Sequence, residues 1–379
     1  MRVAFHAPLK SADHPVPSGD RQIARALLRA LDHAGHETIV ASRLRTFDRS
    51  GDAARQARLQ RLGERIAQRL IARWRVGRPP DAWLTYHLYH KAPDVIGPAV
   101  ARGLRIPYVV AEASISPRQR DGRWAHGHAL AVDAVHSADA IVCLNPRDMP
   151  QIRRACRADA PVTLLPPFID VTAFTANSGV EDRTRRAGLP PRMITVAMMR
   201  DGAKVASYRV LAEALACLRD IDWSLRVVGD GPARVNVEHA FAGIAERVSF
   251  LGARDASSIA RLLRDSDLFV WPAIDEAIGL VFVEAQACGL PVVGGGSAGV
   301  AAVVEHGRTG LLTAEGDIAA FVAATRSLLT DAPLRDRFSA ETGGYVRARH
   351  DLPAAAQALD AVLRNAVARR RVVALTPSG

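Results

Sequence analysis

The stretch WPAIDEAIGLVFVEAQACGLPVVGGGSAG, residues 271–299, predicts a strand end, a loop, a helix and a second strand. A short apolar run that stops at Pro272 is typical of a buried strand. Residues 280–288 are apolar and long enough for a helix, and Gly289 stands where the glycine after a helix C-terminus belongs. This order of elements is typical of an α/β domain.

Two carboxylates bracket the loop of this stretch. Glu276 and Glu284 are separated by seven residues, so that Glu276 falls in the loop and Glu284 about one and a half turns into the helix. Gly279 has no Cβ, and a ligand can therefore approach the backbone there. The N–H groups of the first helical turn would face an anion such as phosphate. The pattern predicts a site that binds an anionic ligand between two carboxylates.

The two glutamates, together with the run Ala-Cys-Gly-Leu-Pro-Val-Val over residues 287–293, carry a family resemblance. They resemble the E-x7-E signature of family 4 of the retaining, nucleotide-sugar-dependent glycosyltransferases. The resemblance covers almost the whole chain and is strongest over residues 190–330. It implies an α/β fold of the GT-B type, in which two Rossmann-like, doubly wound domains face each other across an active-site cleft. It also implies transfer of a sugar from a UDP-, GDP- or ADP-sugar to an acceptor hydroxyl, with retention of configuration and without a metal or another cofactor.

The resemblance assigns roles to residues of the C-terminal half. Glu276 would hold the donor sugar's hydroxyls, and Glu284 the ribose hydroxyls of the nucleotide. Arg200 and Lys204 would bind the donor diphosphate, although their spacing is one residue shorter than the family pattern. Further donor contacts are implied at Gly231, Leu251, Ile278, Gly279 and Leu280.

The first forty residues read as a strand, a loop, a helix and a strand. This order places Gly19 near the N-terminus of the first helix, on the side where doubly wound sheets bind ligands. The family resemblance implies that this loop approaches the donor phosphate or the acceptor. A glycine needed only for a turn is the alternative.

Polar residues at the ends of two predicted strands are the candidates on the acceptor side. His87 and His90 end one strand, and Glu112 ends the next. The histidine that the family places near the reacting sugar would fall at Ala113 and is absent. His87 and Glu112 are therefore the candidate catalytic residues of this half, with His90 beside the acceptor. The alternatives are ordinary loop histidines, with the departing phosphate taking the acceptor's proton.

A chain of 379 residues is long enough for two domains. We expect an N-terminal acceptor-side domain over residues 1–168 and a C-terminal nucleotide-sugar-binding domain over residues 169–345. A last helix over residues 354–368 would return to the first domain, as in the family. Residues 369–379 begin with three arginines and predict a disordered basic tail.

The net charge of +11 is concentrated in one segment. Residues 43–78 hold eleven arginines against three acidic residues. Within them, residues 52–76 predict an amphipathic helix that either packs on the sheet with a solvated basic edge or binds an anionic membrane. Its predicted apolar face comprises Leu59, Leu62, Ile66, Leu70 and Trp74. We expect no nucleic-acid partner, because a general nucleic-acid surface would spread over both domains.

The sequence shows no apolar run of transmembrane length and no signal-peptide pattern. We therefore expect a cytoplasmic protein that can also lie on the inner face of the membrane, and that acts on a sugar or a lipid-linked acceptor in glycan, polysaccharide or glycolipid synthesis. A nucleotide-sugar epimerase or phosphorylase of the same fold, or a non-catalytic basic binding protein, is the alternative. The turn at residues 229–232 is not a G-x-G-x-x-G fingerprint, which disfavours a nicotinamide site.

Overall fold

The computed structural model describes residues 1–16, 18–175 and 188–375. The chain forms two compact units. Unit 1 comprises residues 1–165 and the C-terminal segment from residue 352, and unit 2 comprises residues 166–351. The polar, arginine-rich sequence of residues 178–191 predicts a loop, of which residues 178–187 lie outside the described residues.

Unit 1 is built on a six-stranded parallel sheet of order β2-β1-β3-β4-β5-β6. Helices alternate with the strands, which is the pattern that parallel sheets require. The strands are β1 (Arg2–His6), β2 (Glu37–Ser42), β3 (Ala82–Tyr89), β4 (Tyr108–Ser114), β5 (Ala140–Cys143) and β6 (Val162–Leu164). The helices are α1 (Gly19–His33), α2 (Ala53–Val76), α3 (Gly97–Leu104), α4 (Ala125–Ser137) and α5 (Met149–Ala155), with a short 3₁₀ turn at Pro117–Gln119.

Unit 2 repeats the plan with a second parallel sheet of order β12-β11-β10-β7-β8-β9. Its strands are β7 (Arg192–Val196), β8 (Ser224–Val228), β9 (Val248–Gly252), β10 (Leu268–Trp271), β11 (Val292–Gly295) and β12 (Gly310–Thr313). Its helices are α6 (Thr172–Thr175), α7 (Ala203–Ala216), α8 (Arg234–Ala240), α9 (Ala256–Arg264), α10 (Leu280–Ala287), α11 (Ala298–Ala301), α12 (Ile318–Thr330) and α13 (Ala332–Arg349). A 3₁₀ segment spans Ala242–Arg247.

The central strands of both sheets are buried on both faces, which is why they read as continuous apolar runs. Every residue of β5 and of β10 is buried. The α/β class predicted from the sequence is confirmed by the two sheets.

The chain passes from unit 1 to unit 2 after residue 165 and returns after residue 351, whereas we expected the crossings at residues 168 and 345. Hydrogen bonds between the two segments, made by backbone and side-chain groups, explain the difference. The Ile169 N–H donates to the carbonyl of His350 at 2.9 Å, and the Val171 N–H donates to Asp351 at 3.3 Å. His350 Nδ1 also lies 2.7 Å from the Pro167 carbonyl oxygen. Both segments therefore belong to unit 2.

The last helix, α14 (Leu352–Leu375), packs on α1 within unit 1. His36 Nε2 lies 2.9 Å from an Asp360 carboxylate oxygen, and Leu359 and Leu363 are buried. The prediction of a disordered tail from residue 369 is wrong up to residue 375. Arg369 donates to the backbone carbonyl of Asp139 at 2.7 Å, which anchors the continuation of the helix.

Helix α2 starts at its predicted place, with Asp52 as the N-cap. The predicted apolar face is wrong at Leu62, which is 42% exposed. The buried residues of the helix instead include Gly63 and Ala67, which is one turn further on. A Cβ on Gly63 would fall 2.2 Å from the Val95 side chain, so the helix lies very close to its neighbour at this point. Small residues permit the close approach, so the contact face is rotated away from Leu62.

No helix among the described residues has both the length and the apolar character needed to cross a membrane.

Replacing Leu363 with alanine should lower the free energy of unfolding by about 2–5 kcal/mol, because it leaves a cavity in a fully buried contact of α14. Urea unfolding followed by circular dichroism measures this change. Leu189→Ala makes the same chemical change at a side chain that is 60% exposed and should shift stability by no more than about 0.5 kcal/mol. Equal losses in the two variants would contradict the proposed packing.

Candidate functional site

The loop between β10 and α10 is bent into an uncommon backbone conformation. Ala273 and Asp275 have φ values of 54° and 49°, and Gly279 has a φ of 72°. A left-handed conformation is strained for residues with a Cβ and persists only where the surroundings hold it. The Ser207 hydroxyl accepts from the Ile274 N–H at 2.9 Å and supplies part of that hold.

A glycine-rich segment supports the same loop from the other side. A Cβ on Gly295 would lie 2.0 Å from the Pro272 carbonyl oxygen, and one on Gly299 would lie 2.3 Å from the Ala277 carbonyl oxygen. The Ser297 hydroxyl donates to the Glu276 carbonyl at 2.9 Å. Only glycine permits this backbone contact, so the sequence after β11 fixes the position of the loop.

An ion pair joins the loop to α7. Lys204 Nζ donates to Glu276 Oε2 at 2.5 Å, and the ammonium lies 5.5 Å from the centre of the Trp271 ring. The Lys204 and Glu276 side chains are 29% and 18% exposed. Water therefore shields the pair only in part, while a ligand can still reach both charges.

Glu284 lies in α10, which begins at the N-cap Gly279 without a side-chain cap. Burial of the carboxyl group disfavours its charged form and raises the pKa of Glu284 to about 7. Such a carboxyl can donate or accept a hydrogen bond near neutral pH. A sugar hydroxyl can provide the complementary group.

The turn after β8 packs against the segment that contains Arg200. Gly229 and Gly231 have positive φ values of 144° and 156°, and a Cβ on Gly231 would lie 2.2 Å from the Met199 carbonyl oxygen. The Met199 N–H donates to the Asp230 carbonyl at 2.9 Å. Arg200 itself is exposed, and Leu251 is half-buried in β9.

Some of the predicted donor-site residues of unit 2 are in direct contact with one another, and others are only near them in the chain. It pairs Lys204 with Glu276 and places Ile278, Gly279 and Leu280 at the start of the helix that carries Glu284. Arg200 lies four residues before Lys204, across the Gly202 N-cap of α7. The sequence analysis did not identify Ser207, Ser297 and Trp271 as residues of the site. Their contacts with the loop are tertiary, and the only sequence signal was that Ser207 lies one helical turn from Lys204.

In unit 1, His87 and Glu112 are neighbours on adjacent strands. The register pairs Leu88 with Ala113, and both His87 and Glu112 have positive φ values, 58° and 62°. Glu112 is buried and accepts from the Leu144 N–H at 3.0 Å. Burial raises the pKa of Glu112. Ala113, where the family histidine was expected, is buried.

Two further acceptor-side candidates have different surroundings. Gly19 is the first residue of α1, and no atom lies within 4 Å of the position that its Cβ would occupy. Packing therefore does not require glycine there. His90 stacks edge-on with Trp124 at 5.6 Å, and burial lowers the pKa of its imidazole. Asp20, which lies 3.1 Å from His87 Nδ1, was missed because it is 67 residues away in the chain.

Solved structures of low sequence identity share the fold. Sucrose-phosphate synthase from Thermosynechococcus elongatus gives a TM-score of 0.71 at 19% identity, covering 97% of this chain and 99% of that one. Anabaena Alr3699/HepE, solved in complex with UDP, gives 0.71 at 19% identity, covering 96% and 100%. The protein therefore has the GT-B fold of glycosyltransferases, as predicted.

Residues 190–331 match the family described as Glycosyl transferases group 1. The D-inositol 3-phosphate glycosyltransferase of Stackebrandtia nassauensis is 33% identical over 256 residues, which are 62% of this chain and 57% of that protein. The same enzyme of Corynebacterium glutamicum is 30% identical over 258 residues, 65% and 62%. The chain thus spans about three fifths of these relatives' length. The group 1 match confirms a glycosyltransferase resemblance over residues 190–331, the part of the chain that holds Glu276 and Glu284.

The raised pKa of Glu284 makes stability depend on pH. The folded value of about 7 lies above the ordinary value of 4.5, so the folded state holds a proton that the unfolded chain has already released between these two pH values. The free energy of unfolding should therefore fall as pH rises from 4.5 to 7. Glu284→Gln should remove this fall and be more stable than the natural protein above pH 7, by an amount on the order of 2 kcal/mol.

Denaturant unfolding at a series of pH values measures the difference between the two proteins. Glu213→Gln is the matched control, because Glu213 is exposed in the same unit. A difference between Glu284→Gln and the natural protein that stays constant across this range would show that Glu284 is not desolvated.

Proposed function

We propose that the protein is a glycosyltransferase of the hexosyltransferase type, which moves a sugar from a nucleotide-diphosphate sugar to an acceptor hydroxyl with retention of configuration. The observation that carries the proposal is the Lys204–Glu276 pair, 2.5 Å apart on a strained loop within the group 1 domain. A cation and a carboxylate held side by side can bind a phosphate and a sugar hydroxyl of one donor molecule.

The proposed donor site lies in unit 2. Arg200 and Lys204 bind the diphosphate, Glu276 holds the donor sugar, and Glu284 holds the ribose hydroxyls. The backbone at Ile278, Gly279 and Leu280, at the start of α10, faces the phosphate groups. Gly231 and Leu251 contribute to the nucleotide side of the site.

In the proposed reaction, the bond between the anomeric carbon and the diphosphate oxygen breaks, and a bond to the acceptor oxygen forms on the same face of the sugar. The departing phosphate gains negative charge, which Arg200, Lys204 and the helix N–H groups stabilise. The acceptor's proton passes to that phosphate. The protein cations make this chemistry independent of a metal.

UDP-sugars are the first donors to test, because the structurally similar Anabaena HepE was solved with UDP-glucose. GDP- and ADP-sugars complete the donor series. The relatives named D-inositol 3-phosphate glycosyltransferase indicate that acceptors with several hydroxyl groups belong in the panel beside lipid-linked sugars.

Lys204→Met should reduce the rate of nucleoside diphosphate release by roughly 100-fold or more, because the cation stabilises charge that develops in the transition state. A coupled assay over the donor and acceptor panel measures the release. Thermal shift with each nucleotide measures donor binding, since a ligand that binds only the folded protein stabilises it by mass action. Lys91→Met, in unit 1, is the matched control and should keep the activity.

Other outcomes of the same assay favour other functions. Conversion of a nucleotide sugar without an acceptor would favour an epimerase, and sugar release by free phosphate would favour a phosphorylase. A protein that binds nucleotides but releases no nucleoside diphosphate with any donor would be a non-catalytic binding protein.

We also propose that α2 attracts the protein to the anionic inner face of the cytoplasmic membrane, where lipid-linked acceptors are found. Arg58, Arg61, Arg65 and Arg69 are exposed along the helix, and Leu62 is 42% exposed among them. A basic helix face with an exposed apolar side chain suits the surface of a bilayer rather than its interior.

Arg61→Glu/Arg65→Glu should lower binding to phosphatidylserine-containing vesicles at least tenfold, because each cation near the surface contributes about 1 kcal/mol and each substitution also adds repulsion. Sedimentation at low and high ionic strength measures binding. The control is Arg337→Glu/Arg347→Glu, which changes the net charge equally at exposed sites of unit 2. Absence of binding by the natural protein even at low ionic strength would rule out the membrane proposal.

A further inference from the structure

Lys204 lies at the end of α7 where a helix least favours a cation. Gly202 is the N-cap, so Lys204 is the second residue of the helix, and the first turn holds no acidic residue. The N-terminus of a helix carries partial positive charge, which favours a negative group and repels an ammonium. Asp201, just before the cap, is exposed to solvent, and Lys204 forms its ion pair with Glu276 instead. Glu276 therefore brings negative charge to the start of α7 from another part of unit 2.

The backbone of Glu276 is held in place independently of this ion pair. Its carbonyl accepts from the Ser297 hydroxyl at 2.9 Å, and its N–H donates to the Ala273 carbonyl at 3.3 Å. On the side of the cation, the Lys204 ammonium lies 5.5 Å from the centre of the ring of Trp271, which is fully buried. An anion that reaches Lys204 therefore meets it with the Glu276 carboxylate still beside it.

The carboxylate has opposite effects on two kinds of ligand. A diphosphate at Lys204 is repelled by Glu276, and like charges brought together in a binding site are strongly unfavourable. A sugar attached to that diphosphate changes the balance, because its hydroxyl groups donate hydrogen bonds that a carboxylate accepts. The nucleotide sugar therefore gains an interaction that offsets the repulsion, whereas the free nucleoside diphosphate does not.

We propose that Glu276 makes the donor site discriminate against a nucleoside diphosphate that carries no sugar. Glu276 weakens the hold of Lys204 on the diphosphate, and the bound sugar offsets this effect for as long as it is attached. Once the sugar has been transferred, the repulsion favours release of the product and its replacement by a new donor. The inference rests on the proposed function and deepens it, since it states how that same site distinguishes its donor from its product.

Calorimetric titration with UDP and with UDP-glucose tests the discrimination without an activity measurement. Glu276→Gln removes the charge and keeps the shape of the side chain. UDP should bind this variant about tenfold more tightly than it binds the natural protein, because the amide does not repel phosphate. UDP-glucose should bind no more tightly, because the sugar hydroxyls lose a charged acceptor. Glu276→Ala should tighten UDP in the same way, and Glu276→Asp, which keeps the charge, should not.

Two matched variants separate this effect from other consequences of losing a carboxylate. Glu213→Gln removes a charge from an exposed position of α7 that lies nine residues, roughly 14 Å, beyond Lys204. Salt screens charges over such a distance, so both affinities should stay unchanged. Glu284 is the proposed ribose contact, which UDP and UDP-glucose share, so Glu284→Gln should change their two affinities by the same factor.

Equal changes for UDP and UDP-glucose in Glu276→Gln, or UDP binding that is unchanged or weaker, would overturn the proposed discrimination. If no nucleotide of the UDP, GDP and ADP series binds the natural protein, the proposed function is contradicted instead. Inorganic pyrophosphate then tests the repulsion by itself. It should bind Glu276→Gln about tenfold more tightly than the natural protein, and equal binding would overturn the role of Glu276.

Discussion

The ion pair between Lys204 and Glu276 depends on a backbone that the chain would not adopt by itself. Ala273 and Asp275 are strained, and the loop keeps its shape because Ser207 and the glycines after β11 contact it from both sides. The charged groups are thus held before any ligand arrives. Preorganised charges need no rearrangement when charge develops in a reaction, which is the condition under which electrostatic stabilisation is large.

Glu276 and Glu284 differ in their chemistry because their surroundings differ, although only eight positions in one loop and helix separate them. Glu276 forms an ion pair with Lys204 at 2.5 Å. For Glu284, burial is the cause of the pKa of about 7. One carboxylate is therefore suited to a fixed charged contact, and the other to exchanging hydrogen bonds with a neutral hydroxyl.

Local patterns predicted the strand–loop–helix unit around Glu276 because the Pro272 stop, the Gly279 turn and the Gly289 end each act within a few residues. The contacts that hold the loop could not be predicted, since Ser207 is 67 residues from its partner Ile274. The error at Leu62 has a related cause. Helical periodicity gives a stripe of apolar residues, but the small residue Gly63 decides which side of α2 can approach its neighbour. The prediction of disorder after residue 369 was wrong because the sequence does not show that Arg369 donates to the backbone carbonyl of Asp139.

Strained backbone marks the candidate residues of both units. Among the described residues other than glycine, five have positive φ, and one of these, Arg105, ends a helix. The other four are His87 and Glu112 in unit 1, each two residues before the end of its strand, and Ala273 and Asp275 in unit 2, just after β10. Parallel strands end on one edge, so a strained turn there directs side chains away from the buried sheet. Such strain persists only where surrounding contacts hold it, and here it coincides with His87 and with the loop of Glu276, which the sequence singled out as candidate ligand-binding residues.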